Sequence, residues 1–172
     1  MNGAPSLTSA SGSTTVQTEA LMIRTTCLTG MLVLTLSAAA AAHVVVRPNA
    51  SAPGAEERYA VRVPTEGDVT TTSVRVEIPD GVTVLDVEAE EGVVFETEQV
   101  GGRIVGITWK KAIPPKESAE FYFRARNPEG QATLTWKAHQ HFADGTVTAW
   151  VGPEGDRRPA PMTRIENRAG GR

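Results

Sequence analysis

"RYAVRVP", residues 58–64, decides the fold: Tyr59, Val61 and Val63 alternate with Ala60 and Arg62, and Pro64 stops the run. A period of two puts successive side chains on opposite faces of an extended chain, so one face of this segment is apolar and the other is wet. The period recurs in "SVRVEIP" (73–79), where Val74, Val76 and Ile78 alternate with Arg75 and Glu77. It recurs in "AEFYFRAR" (119–126), where Phe121, Phe123 and Ala125 alternate with Tyr122, Arg124 and Arg126. Asp80-Gly81, Gly101-Gly102 and Asp144-Gly145 read as hairpin turns, while Pro64, Pro79 and Pro114-Pro115 end strands or sit at sheet edges. No segment carries helical spacing and no repeat is present. About seven to nine short strands at these intervals predict an all-β protein, a two-sheet antiparallel sandwich of the immunoglobulin-like kind. The tail from Pro153, "PEGDRRPAPMTRIENRAGGR", is rich in Pro, Gly and charge and is expected to end in disorder.

Outward from this frame, the N-terminal third has a different composition. "MIRTTCLTGMLVLTLSAAAAA" (22–42) carries one basic residue, an apolar stretch and then small residues ending in Ala40-Ala41-Ala42, the layout of a secretory signal with an A-x-A cleavage site. Its apolar run of roughly 15 residues is short of the ~20 that a spanning helix needs. Residues 1–21 are polar and Ser/Thr-rich, without a basic start, so translation is expected to begin at Met22. Cleavage after Ala42 leaves a domain over 43–152 followed by the tail over 153–172. Only Glu19 and Arg24 are lost among the charges, so the net charge stays at −3. The single cysteine, Cys27, leaves with the signal, and an exported domain without a disulfide must rest on its core or on a bound ligand. No second hydrophobic segment follows, so the mature product is expected to be soluble.

Composition and motif search remove most function classes. Basic residues are scattered and outnumbered, 17 against 20 acidic, which excludes a nucleic-acid footprint. The mature chain has no nucleophilic cysteine, G-x-S-x-G elbow, phosphate-cradling glycine loop or H-E-x-x-H helix. "DVEAEEG" (86–92) reads as a solvated strand edge rather than an acid/base pair.

The three histidines and the tryptophans remain. If the chain is cut before His43, that residue presents its α-amine and ring Nδ1 to one ion and closes a six-membered chelate. Cu(II) heads the divalent affinity order and suits amine and imidazole nitrogens. The amine titrates near pH 8, so copper displaces its proton at neutral pH. The alternative is a histidine exposed by cleavage without consequence. If residues 43–47 pair antiparallel with 59–64, position 43 lies opposite about 63, and "VPTE" brings Glu66 near the new N-terminus. Without His43, Glu66 reads as an exposed loop carboxylate. In "LTWKAHQHFADGTVTAWVG", a two-residue Asp144-Gly145 turn pairs Phe142 with Val147, Gln140 with Ala149 and His139 with Trp150. Leu134, Trp136, Ala138, Phe142, Val147 and Val151 then share the core face, and Trp150 lies on the polar face with Lys137, His139 and His141. Trp150 there marks a site, covers a sheet surface, or signals a turn longer than two residues; Trp109 and Trp136 read as core.

His43 followed by "VVVRP", Y-x-V-x-VP-x-E (59–66), V-x-V-x-IP-x-GV (74–82), ITW (107–109), F-x-F-x-x-x-NP (121–128) and W-K-A-x-Q-x-F-x-DG-x-V-x-x-W (136–150) together resemble the YcnI-like family of exported copper-binding domains. The resemblance spans most of 43–152. It implies an immunoglobulin-like sandwich that binds Cu(II) with a single-histidine brace: His43 through amine and imidazole, Glu66 as the carboxylate and Trp150 beside the metal. Two departures stand out: many relatives carry a C-terminal membrane helix, and His139 occupies a position where an aromatic is expected and offers an added ligand. The implied role is non-enzymatic copper homeostasis or trafficking in the periplasm or outside the cell, with another envelope copper protein as a transfer partner. The rival readings are a histidine-brace copper oxidase of the polysaccharide monooxygenase type, with His139 as second histidine, and a metal-free adhesive module.

Overall fold

A computed structural model describes residues 43–167, which form twelve strands and no helix. The leader expected over 22–42, the residues before it and the chain end from 168 lie outside the described residues. Strands β1 (Val45–Arg47), β3 (Glu56–Pro64), β5 (Thr83–Glu88) and β8 (Ser118–Arg126) make a four-stranded antiparallel sheet in the order β1-β3-β8-β5. Strands β4 (Thr71–Glu77), β6 (Val94–Val100), β7 (Arg103–Ile113), β10 (Ala138–Phe142) and β11 (Val147–Trp150) make a five-stranded sheet in the order β11-β10-β4-β7-β6. A third, small sheet joins β2 (Ala50–Ser51), β12 (Met162–Ile165) and β9 (Ala132–Thr135), and its β2–β12 pair is parallel.

The period-two reading of the opening stretch holds. In β3 Tyr59, Val61 and Val63 are fully buried, as are Val74 and Val76 of β4 and Phe123 and Ala125 of β8. The two larger sheets thus contribute to one core. Trp109 of β7 stacks on Phe121 of β8 at 5.3 Å between ring centroids, across the sheets. Trp136 packs on Tyr59 at 4.8 Å and Phe123 at 5.6 Å, and both tryptophans are wholly buried, as expected.

The tail from Pro153 contains β12, with Thr163 and Ile165 buried, and Thr163 Oγ1 accepts the Trp136 indole N–H at 3.1 Å while donating to the Pro48 carbonyl at 2.8 Å; the end expected to be disordered lies outside the described residues. Met162 to Ile165 pair with the edge of β9, and tertiary pairing overrides the polar composition. Three expectations are corrected. The third sheet that results adds to the two expected. Asp80-Gly81 is not a hairpin, because β4 and β5 belong to different sheets, and the turn carries the chain from one to the other. The Asp144 turn is one residue longer than expected. The Gly145 N–H donates to the Phe142 carbonyl at 3.1 Å, Phe142 N–H to the Thr146 carbonyl at 3.0 Å, and Gly145 takes a positive φ of 84°. That is a three-residue loop closed by a left-handed glycine.

The longer loop sets the register to Ala138 opposite Trp150 and His139 opposite Ala149. A shift of one residue exchanges faces. Val147 and Val151 are therefore not core but 49% and 43% exposed, and Trp150, expected on the polar face, is buried at 6%. No helix among the described residues is long and apolar enough to cross a membrane.

Candidate metal centre

β1 is the edge of the four-stranded sheet and β11 the edge of the five-stranded sheet. Between these edges opens a cleft of about 580 Å³, bordered by His43, Glu66, Gln140, Trp150 and Asp156 among others. His43 is held at its rim because the next residue, Val44, and Val46 beyond it are buried in the core at 3% and 1% exposure. The β1–β3 pairing of Val45 with Arg62 extends to bring 43 level with Pro64, one residue from the expected 63. Pro64 and Glu66 both line the cleft, as the expected pairing requires.

Glu66 leaves a fixed point. The preceding Thr65 is buried, its N–H donates to the Glu117 carbonyl at 2.8 Å, and its carbonyl accepts the Lys116 N–H at 2.8 Å. The Glu66 side chain is exposed and stands on the rim shared with a neighbouring cleft that Lys116 also lines.

The Trp150 ring meets the His43 ring edge to face, with centroids 5.6 Å apart and planes at 70°. The two sequence-expected residues are thus in contact, although Trp150 reaches His43 from the inward face of β11 and not from the polar face. Its indole N–H donates to Gln140 Oε1 at 3.3 Å. Gln140 is itself buried at 1%, and its Nε2 donates to the Pro64 carbonyl at 2.9 Å and to Thr71 Oγ1 at 2.7 Å. Thr71 Oγ1 lies 2.7 Å from Thr65 Oγ1. This chain ties the floor of the cleft to the strand end that carries Glu66. A buried amide with all its partners satisfied fixes one arrangement, since leaving any of them unpaired is costly. The motif W-K-A-x-Q named Gln140 without a role; its signal was a polar residue at an inward position, between Ala138 and Phe142.

His139 is not in the cleft. It lies on the other face of β10, and its Nε2 is 3.1 Å from Glu77 Oε1. Partial burial pushes the Glu77 carboxyl up, but hydrogen bonds from Arg75 and His139 outweigh it and hold the group below its ordinary value. The added ligand expected from His139 is therefore engaged elsewhere. Among the described residues no three His, Cys, Asp or Glu side chains are gathered closely enough to hold a metal ion. A metal at this cleft needs a donor beyond side chains.

A family model described as "Domain of unknown function (DUF1775)" matches residues 43–165. The chain belongs to this YcnI-like family. The match opens on His43 and closes on the last residue of β12, so the family domain includes the strand in the tail. "Copper-binding protein CutI" of Bacillus subtilis (strain 168) is 33% identical over 135 residues, 77% of this chain and 66% of that protein. This chain thus spans just under two thirds of that relative's length. A crystal structure of an uncharacterized protein from Nocardia farcinica, described as having an immunoglobulin-like fold, superposes with a TM-score of 0.64 at 25% identity, over 74% of this chain and 100% of that one. The fold of this YcnI-like chain is an immunoglobulin-like sandwich.

Proposed function

We propose that this chain is an exported, non-enzymatic copper-binding protein that holds one Cu(II) at a mature N-terminus beginning with His43. The contact between the His43 and Trp150 rings, at the mouth of a cleft that Glu66 also lines, carries the reading. The missing donor is supplied by cleavage after Ala42: a free α-amine adds a nitrogen next to the imidazole without demanding a second side chain. Amine, imidazole and the Glu66 carboxylate are the donor types that Cu(II) favours. Trp150 cannot add a nitrogen, because an indole N–H only donates and Gln140 already receives it. It lays its ring against the site, shields the ion from water and offers π-density to the cation.

Similarity to a copper-binding relative and the family match that opens on His43 support this reading. The copper-oxidase rival loses its second histidine, since His139 is paired with Glu77 on the other face of the sheet. Storage, scavenging and delivery to another envelope copper protein all use this same site. The decisive experiment compares protein processed to His43 with protein carrying one extra residue before it. The extension turns the amine into an amide and should weaken Cu(II) binding on the order of a hundredfold, the upper end of what loss of a metal-supporting group costs. Equal affinity in competitive titration would sink the reading.

A further inference from the structure

We propose that the cleft takes Cu(II) together with a small dicarboxylate anion, one carboxylate on the ion and the other on the guanidiniums of Arg157 and Arg158. The proposal rests on the copper reading above. Three observations carry it: the room in the cleft, the donors it lacks and the charges on its wall.

The cleft measures about 580 Å³. That lies within the roughly 300–1,000 Å³ of small-molecule sites and is far more than a bare ion fills. Among the described residues no three His, Cys, Asp or Glu side chains are gathered to complete a metal site. The His43 amine and imidazole with Glu66 leave a position of a square-planar or tetragonal Cu(II) site open. A ligand from solution fills it.

Arg157 and Arg158 line this cleft. Among the described residues neither guanidinium is within ion-pair distance of a carboxylate, whereas those of Arg58, Arg75, Arg103, Arg124 and Arg126 all are. Their neighbour Asp156 uses Oδ1 to accept the Arg158 backbone N–H at 3.2 Å. The backbone beneath them is anchored, because Gly152 N–H donates to the Arg158 carbonyl at 3.0 Å and Ala160 N–H to the Gly152 carbonyl at 2.8 Å. The two guanidiniums balance the two carboxylates of the lining, Glu66 and Asp156, until the ion arrives with its two positive charges. A dianion restores the balance, and the planar guanidinium fork matches a carboxylate edge. Binding displaces water from the ion and from the guanidiniums, and no bond within the anion breaks.

The test uses protein starting at His43, loaded with one Cu(II) per chain, and isotope-labelled malonate in equilibrium dialysis. One malonate should bind per loaded chain, with copper retained and its paramagnetic resonance spectrum altered. Metal-free protein should bind malonate about tenfold more weakly or worse, and acetate, with one carboxylate, should bind loaded protein more weakly than malonate does. Arg157→Gln combined with Arg158→Gln should weaken malonate binding about tenfold without weakening Cu(II) affinity measured in its absence. Lys137→Gln removes a cation that lines a different cleft and should bind malonate as wild type does. A copper spectrum that malonate leaves unchanged, copper lost to malonate in solution, or wild-type malonate binding in the double arginine variant overturns the proposal while the His43 reading stands. An N-terminal extension that leaves Cu(II) affinity intact overturns the His43 reading itself, and the anion site with it.

Discussion

His43 and His139 meet opposite faces of the same corner of the five-stranded sheet, and their neighbours differ in kind. His139 belongs to a chain of charges on the outer face: its ring is bonded to Glu77, Glu77 to Arg75 at 2.9 Å, and Arg75 to Glu98 at 2.6 Å. His43 borders an open cleft with its ring against an indole whose polar end is tied down beneath it. One histidine is consumed by its surroundings and the other is presented by them. The number of histidines in a sequence says little about metal binding; what counts is which of them the fold leaves with donors facing a shared space.

Glu66→Gln should give the largest change of the side-chain variants that test this contrast. It removes an anionic donor from the cleft and should lower Cu(II) affinity by about ten- to a hundredfold with little change in melting temperature, because the side chain is exposed. Titration and thermal melting together check it; a wild-type affinity would move the carboxylate role away from Glu66.

Trp150→Phe should retain one bound Cu(II) with a smaller loss, since a cation–π contact is about 0.5–2 kcal/mol, or roughly two- to thirtyfold in affinity. The same substitution leaves Gln140 Oε1 without its donor, so stability should fall by about 1–3 kcal/mol. Copper should quench tryptophan emission less in this variant, because Trp109 and Trp136 lie in the core and still emit. Equal quenching in both proteins would place the indole away from the metal.

His139→Ala should have the smallest effect and sharpens the contrast from the other side. Copper affinity should not change. Glu77 should titrate higher than in wild type, because a bond that lowers it is gone. The sign follows from linkage: a carboxylate held below its unfolded value contributes stability above the ordinary carboxylate range and loses it as pH falls through the folded value. In His139→Ala part of that contribution disappears at every pH above that range, at most about 1 kcal/mol for a partly exposed pair screened by solvent. Chemical-shift titration of the Glu77 carboxyl checks the direction, and weaker copper binding in this variant would return His139 to the site.

The sheet was legible because period-two alternation is a local property. Residues 58–64, 73–79 and 119–126 each name their own buried face, and all three face the core as read. The cleft was legible in part. His43 and Glu66 were placed by a strand pairing whose register proved one residue off, an error that two exposed residues beyond the strand ends tolerate. Trp150 was expected on the polar face beside His139 and instead meets His43 from the inward face, because the sequence Ala143-Asp144-Gly145 allows two loop lengths that differ in hydrogen bonding and not in composition. Gln140 stood in the motif W-K-A-x-Q without a role, since its role depends on the buried partners around it, and the position of Asp156 at the cleft depends on a loop between β11 and β12.

The sequence by itself determined β3, β4 and β8, the apolar face of each, the core positions of Trp109 and Trp136, and the chemistry that His43 acquires if the chain is cut before it. Those follow from side-chain alternation and from donor types, which depend on nearest neighbours along the chain. Only the tertiary structure decided that β12 closes a third sheet over Trp136, that His139 is spent on Glu77, and that His43, Glu66, Gln140, Trp150 and Asp156 share one cleft. These depend on register and on contacts between residues far apart in the chain, and a slip of one position, invisible to a local pattern, exchanges every side chain between core and solvent.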